Sequence, residues 1–277
     1  MPSLPDMMDD QTGATAASVD GWLPQAQDRG ALFDALLRLG DNALVLGHRL
    51  SEWCGHGPAL EEDIAMANTA LDLIGQTRLW LGYAGEIEGA GRDADALAFL
   101  RDVWDFRNLQ MLELPNGDFG QTLMRQFLFD AFHHVQLARL TASADPRIAE
   151  IAAKSAKEVA YHLERSGDLV VRLGDGSAES HDRMQAALND LWPYVGEMFA
   201  PVPGEIDLAA AGVAPDPAGL RAEWDAIVLP ALTAATLNRP DGDWFHKGGK
   251  TGSHTEHLGY LLAEMQFLQR AYPGARW

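Results

Sequence analysis

Residues 60–84 read LEEDIAMANTALDLIGQTRLWLGYA. Apolar residues recur at helical spacing, and Glu61, Glu62 and Asp63 in the first turn suit the positive end of a helix dipole. Inside this helix lies Leu71-Asp72-Leu73-Ile74-Gly75-Gln76, and a second helical segment carries Lys157-Glu158-Val159-Ala160-Tyr161-His162. In di-iron helix bundles, two helices each present Glu-x-x-His and two others each present a single Glu. This chain approaches that pattern and departs from it on both segments. In the first, the His position of the Asp72 register is Gly75, and the alternative register ends on Gln76 without a carboxylate. In the second, Tyr161 stands three residues after Glu158, and His162 comes one residue too late.

Periodicity of 3.6 residues dominates the rest of the chain, and no period-2 strand stands out. One helix is expected from about Gly30 to Cys54, stopped by Gly55-His56-Gly57-Pro58, and the next from Leu60 to Ala84. A shorter helix is expected from about Asp93 to Arg107. Two long ones follow: Asp118 to Ala142, with Asp118 as N-cap, and Asp145 to Leu173, with Pro146 at its first position. Four helices of roughly 25 residues would each be on the order of 37 Å long. Beyond Gly174-Asp175-Gly176, the pattern predicts a helix over Ser177–Phe199, bent or cut at Pro193. It then predicts an acidic connection over Pro201–Gly219, a helix to about Leu237, a loop over Asn238–Ser253 and a last helix over Thr255–Tyr272. The expected fold is an all-α, antiparallel four-helix bundle with additional C-terminal helices. It forms one domain over residues 29–277, after a disordered acidic tail over residues 1–28.

Of the 277 residues, 47% are hydrophobic, enough for a large core, yet no apolar run approaches membrane-spanning length. The formal net charge of −19 disfavours nucleic acid and suits a soluble chain or one with a basic partner. The acidic start has no Lys or Arg and so does not read as a secretory signal. Cys54 is the single cysteine, which excludes an intrachain disulfide and fits the cytoplasm; its simplest reading is a small apolar residue near a helix end.

A metal site would draw on carboxylate–imidazole pairs that share a helix face: Asp130 with His133 or His134, and Glu158 with His162. Asp72, and Asp41 or Glu52, would add oxygens. The competing expectation is a buried hydrogen-bond or salt-bridge network of Asp72, Gln76, Asp130, Glu158 and His162, helped by Lys154 or Arg78. His254-Thr255-Glu256-His257 reads as a helix start with Thr255 as N-cap rather than as a ligand cluster. Residues 245–252, with Lys247 and Lys250 among glycines, are the most basic stretch, a candidate anion or partner loop or simply a connection. No Gly-rich phosphate loop or nucleophile elbow occurs. Most of the tryptophans fit a core, whereas Trp244 and Trp277 lie where interfaces are expected.

Several segments together carry a resemblance. They are Leu39-Gly40-Asp41-Asn42, Glu52-Trp53-Cys54-Gly55-His56, Leu71 to Gln76, Pro115-Asn116-Gly117, Tyr161-His162-Leu163, Gly248-Gly249-Lys250, Thr255 to Gly259, and Leu262-Ala263-Glu264-Met265-Gln266 onward. From about Leu37 to its end the chain resembles the structural, C-type components of bacterial phenylacetyl-CoA epoxidase (ring 1,2-epoxidase) complexes. The resemblance implies a ferritin-like fold and a heteromeric partnership in aerobic phenylacetate catabolism. In that family a homologous catalytic subunit holds the di-iron centre, activates O2 and epoxidises the ring of phenylacetyl-CoA. A reductase with FAD and an iron–sulfur cluster supplies electrons from NADPH. This chain would then bind no cofactor and stabilise its catalytic partner. The helix start Glu61, Glu62, Asp63, Ile64 and the loop around Asp207 are candidate contacts for the CoA ester. The alternatives are a di-iron oxygenase with atypical ligands, and a ferritin-like binding protein outside any oxygenase.

Overall fold

A computed structural model describes residues 26–275. The expected tail over residues 1–28 lies mostly outside them, as does Trp277; the first helix already begins at Ala26. Four long helices build the bundle: α1 (Ala26–Ser51), α2 (Leu60–Glu88), α5 (Phe119–Leu140) and α6 (Pro146–Gly174). Between them lie two short helices, α3 (Ala94–Phe99) and α4 (Gln110–Glu113). Five more follow: α7 (Ala178–Phe199), α8 (Glu205–Ala210), α9 (Arg221–Ala234), α10 (Glu256–Met265) and α11 (Phe267–Ala271). No strand occurs among the described residues.

Local chemistry sets the ends of these helices. Asp118 caps α5 by accepting from the Gln121 N–H at 2.9 Å, and Asp145 caps α6 through the Arg147 N–H at 2.8 Å. The Asp145 carboxylate also receives the Tyr83 hydroxyl at 2.6 Å, which ties the start of α6 to the end of α2. Gly89, at φ 71°, closes α2 in a left-handed conformation that costs glycine little.

All neighbours in the bundle are antiparallel. Gly40 and Gly47 of α1 lie under Leu81 and Ile74 of α2, and Gly167 of α6 lies under Phe127 of α5. Trp53, just past α1, donates to the Thr122 hydroxyl near the start of α5 at 3.0 Å. Leu36, Leu44, Trp80, Leu81, Phe127 and Leu128 fill the interior. Burying each such side chain contributes about 1.5–3 kcal/mol. Helix α7 packs on α5 and α6, and α9 closes over the same pair.

Since α2 ends at the opposite end of the bundle from the start of α5, residues 89–118 must run its full length. They do so along α1, pinned by polar groups. Asp41 forms a buried ion pair with Arg101 and accepts the Arg107 N–H at 2.8 Å. The Asn42 side-chain oxygen accepts the Leu109 N–H at 2.8 Å, and Arg49 reaches the Glu113 carbonyl at 2.6 Å. Asn116 donates to the Arg49 carbonyl at 2.7 Å. This crossover explains why the expected helix over 93–107 stops at Phe99: Arg101 is drawn inward, with its guanidinium 4.3 Å from the Phe106 ring centroid. Glu113 is wholly buried and accepts from Asn108 Nδ2 and His254 Nδ1, each at 2.9 Å, and from the Thr255 N–H. The other ring nitrogen of His254 faces the Phe106 carbonyl at 3.0 Å, so the imidazole bridges Glu113 and the crossover backbone.

Other expectations need correction. Pro193 does not cut α7, whose face of Met184, Leu188, Leu191 and Val195 is buried on both sides of it. The connection over 201–219 contains α8, because Glu205 at its start pairs with Arg38 at 3.1 Å and Lys250 at 2.7 Å. The last helix divides at Gln266, whose amide donates to the Ala98 and Arg101 carbonyls at 3.1 and 3.0 Å. Thr255 occupies the N-cap position of α10, yet its hydroxyl makes no cap bond. Cys54 is exposed and fills no core space.

Candidate functional site

The residues of the two degenerate motifs meet across α2 and α6. Asp72 and Gln76 are one turn apart on α2; Glu158 and His162 are one turn apart on α6; the helices run oppositely, so the pairs cross. His162 Nε2 lies 2.9 Å from Asp72 Oδ2, and Gln76 Nε2 donates to Glu158 Oε2 at 2.9 Å. His162 and Gln76 are buried, while the Asp72 side chain is 40% exposed.

Asp130, on α5, lies near His162 but bonds to none of these four residues, so the expected five-residue network resolves into two pairs and a separate carboxylate. Its oxygens accept from Gln126 Nε2 at 2.6 Å and Ser166 Oγ at 2.8 Å. Burial pushes the Asp130 carboxyl up to about 6; the nearby His162 and the two hydrogen bonds offset part of that shift. His133, one turn further along α5, is also buried, with its ring 5.1 Å from that of Phe129. Burial pushes this imidazole down to about 3, and the neighbouring His162 and His134 add to the effect. Gln76 Oε1, Gln126 Oε1, His133 Nδ1 and His162 Nδ1 are buried without a partner in the protein. An unpaired buried polar atom costs on the order of 1–3 kcal/mol, which offsets part of what the hydrogen bonds of this cluster contribute.

The residues do not fit a di-iron centre. Among the described residues no three His, Cys, Asp or Glu side chains converge as a metal would require. The first helix contributes nothing: Asp41 is committed to Arg101, and Glu52 holds Arg49 and Asn116 at the end of α1. A pair of iron ions is balanced by several carboxylates in such bundles. Here the one wholly buried carboxyl of the cluster, Asp130, is shifted toward its neutral form. Lys154 and Arg78, expected as helpers, are exposed and pair with none of these groups.

The other candidate residues lie apart. At the start of α2, Glu62 pairs with Arg165 of α6, and Asp63 accepts the Gly57 N–H at 2.9 Å. Glu61 and Ile64 remain exposed, and Asp207 sits on α8, which packs on α1. The basic loop over 245–252 offers no open anion site, since its anion comes from within. Glu197 of α7 accepts the Gly248 and Gly249 N–H groups and that of Gln110, each at 2.8 Å. Gln126, Glu113 and Glu197 carry no sequence signal beyond being polar residues among apolar neighbours, and Ser166, in the polar run Glu164-Arg165-Ser166-Gly167-Asp168, carries none.

No helix among the described residues is long and apolar enough to cross a membrane. A family model described as "Phenylacetic acid catabolic protein" matches residues 15–277. A curated relative, the C component of the 1,2-phenylacetyl-CoA epoxidase of Escherichia coli (strain K12), is 51% identical over 241 residues. That alignment covers 87% of this chain and 97% of the relative.

Proposed function

The chain belongs to the phenylacetic acid catabolic protein family, and on that premise we propose that it is the noncatalytic structural subunit of a 1,2-phenylacetyl-CoA epoxidase. Its all-α bundle agrees with the ferritin-like fold of that family. In this reading a homologous cytoplasmic partner holds the di-iron centre, activates O2 and performs the ring epoxidation. Electrons reach that partner from NADPH through a reductase carrying FAD and an iron–sulfur cluster. This chain keeps the shape of the oxygenase bundle and supplies a surface on which the partner is stabilised.

One observation carries the reading: α2 and α6 satisfy each other where two metal-binding motifs would face the bundle centre. The amide of Gln76 is spent on Glu158, and the imidazole of His162 on Asp72. An amide brings no charge to a cation, and an imidazole bonded through Nε2 to a carboxylate has only its buried Nδ1 to offer. The arrangement joins two helices.

Metal analysis of the purified, iron-loaded chain tests this proposal. The expected result is far less than one iron per chain. About two irons per chain, the complement of a di-iron bundle, would sink it in favour of an oxygenase using Asp130, His133, Glu158 and His162. Co-purification with a homologous subunit bearing two intact Glu-x-x-His motifs tests the partnership separately. A chain that never associates with such a subunit is a binding protein outside the oxygenase.

A further inference from the structure

Large apolar side chains are exposed unevenly over this molecule. Twelve are strongly exposed among the described residues, and six of them lie along the side of the bundle covered by the crossover and the helices packed on it: Leu100, Trp104, Tyr260, Phe267, Leu268 and Tyr272. They come from the crossover and from α10 and α11, which rest on it and frame a groove of about 480 Å³. The platform is fixed, because Gln266 donates to two crossover carbonyls and Arg270 reaches the Arg101 carbonyl at 2.8 Å. A preorganised surface loses little conformational entropy on binding.

We infer that this face is where the partner subunit docks, and that the partner meets it with an apolar surface ringed by basic side chains. The inference rests on the proposed function and adds the location and chemistry of the contact. Area supports it. Trp104, Tyr260, Phe267 and Tyr272 are 74%, 70%, 60% and 57% exposed. At about 150–250 Å² per aromatic side chain, they alone leave on the order of 500 Å² in water. With the two leucines the patch approaches the roughly 800 Å² per partner that a stable interface covers. Charge selects the occupant. The acids Asp102, Asp105, Glu256 and Glu264 stand beside the aromatics, and the two bases there are already paired, Arg270 with Asp102 at 2.9 Å and Arg107 with Asp34 at 3.5 Å. A second copy would bring an acidic rim against an acidic rim, on a chain of net charge −19. A basic rim meets the same face favourably. The second apolar strip, Leu60, Ile64 and Leu71 of α2 with Tyr161 of α6, is smaller and borders the exposed Lys157.

The test uses the full chain and the co-expressed homologous subunit that bears intact Glu-x-x-His motifs, with affinity measured at several salt concentrations. Trp104→Glu with Phe267→Glu is expected to weaken binding at least thirty-fold, by order of magnitude for a hot-spot pair. Leu71→Glu with Tyr161→Glu is expected to change it less than about threefold, by the same measure. Glu256→Lys with Glu264→Lys is expected to weaken binding and flatten its salt dependence. All six positions are exposed, and circular dichroism confirms that each variant folds. Wild-type affinity in the Trp104/Phe267 variant, or loss confined to the Leu71/Tyr161 variant, overturns the assigned face and leaves the proposed function standing. Self-association of the chain through this patch also overturns it. A wild-type chain with no affinity for the subunit overturns both.

Discussion

Replacing Asp41 with Ala tests the account of how the crossover is held. The Asp41 and Arg101 side chains are 0% and 1% exposed, and the carboxylate also receives the Arg107 N–H. Its removal leaves a guanidinium in the interior without its counter-charge. Breaking a buried pair in this way costs about 3–5 kcal/mol. For a domain of this size each kcal/mol lowers Tm by about 2–4 °C, so the expected drop is on the order of 10 °C. The double variant Asp41→Leu, Arg101→Met removes both charges and is expected to recover most of that loss, because apolar replacements of buried ion pairs are often neutral. Thermal unfolding followed by circular dichroism measures both effects. Hydrogen exchange localises them, with the amides of residues 101–109 losing protection first. The reasoning is refuted if Asp41→Ala lowers Tm by less than about 2 °C, or if the double variant loses the sum of the two single changes.

Three further outcomes are expected. Gly85→Ala places a Cβ 2.1 Å from the Arg92 carbonyl oxygen, a backbone atom that cannot step aside; destabilisation at or above the roughly 1–3 kcal/mol of ordinary overpacking should appear in urea titrations. Glu197→Ala strands three backbone N–H groups and should open residues 247–251 to limited proteolysis while α5 and α6 stay protected. The pH dependence of stability carries opposing contributions from Asp130 and His133. The folded pKa of Asp130 is raised to about 6, so its contribution is present at low pH and lost as pH rises through 6. The folded pKa of His133 is depressed to about 3, so its contribution is present above about 6.5 and lost as pH falls toward 3. His133→Phe should therefore gain stability relative to the wild type as pH falls from 6.5 to 4. Asp130→Asn should gain as pH rises over the same range. A constant difference across that range in either variant would show that the residue does not titrate as assigned.

The parts of the fold legible in the sequence are those governed by neighbours along the chain. Asp118 and Asp145 announce α5 and α6 because a cap and the N–H groups it receives lie within three residues. The broken motifs are legible for the same reason, since a missing His at fixed helical spacing needs no tertiary knowledge. Sequence alone does not reveal which group each polar residue meets. Arg101 ends a helix because of Asp41, 60 residues away, and Glu197 fills the basic loop from 51 residues away. The helix over 205–210 forms within a Pro- and Gly-rich stretch because Glu205 finds Arg38 and Lys250. Local composition carries no trace of such partners.

The bonds to Glu113 also set an order of assembly. This carboxylate is made early in synthesis, yet the His254 side chain that meets it lies 141 residues further along. At roughly 5–20 residues per second, the interval is on the order of ten seconds. During that time the helices of the bundle can pair, but the crossover beside α1 still lacks one of its partners. The face formed by α10 and α11 on the crossover is therefore completed last. A nascent chain thus carries the paired helices of its bundle before it carries a finished α10–α11 face.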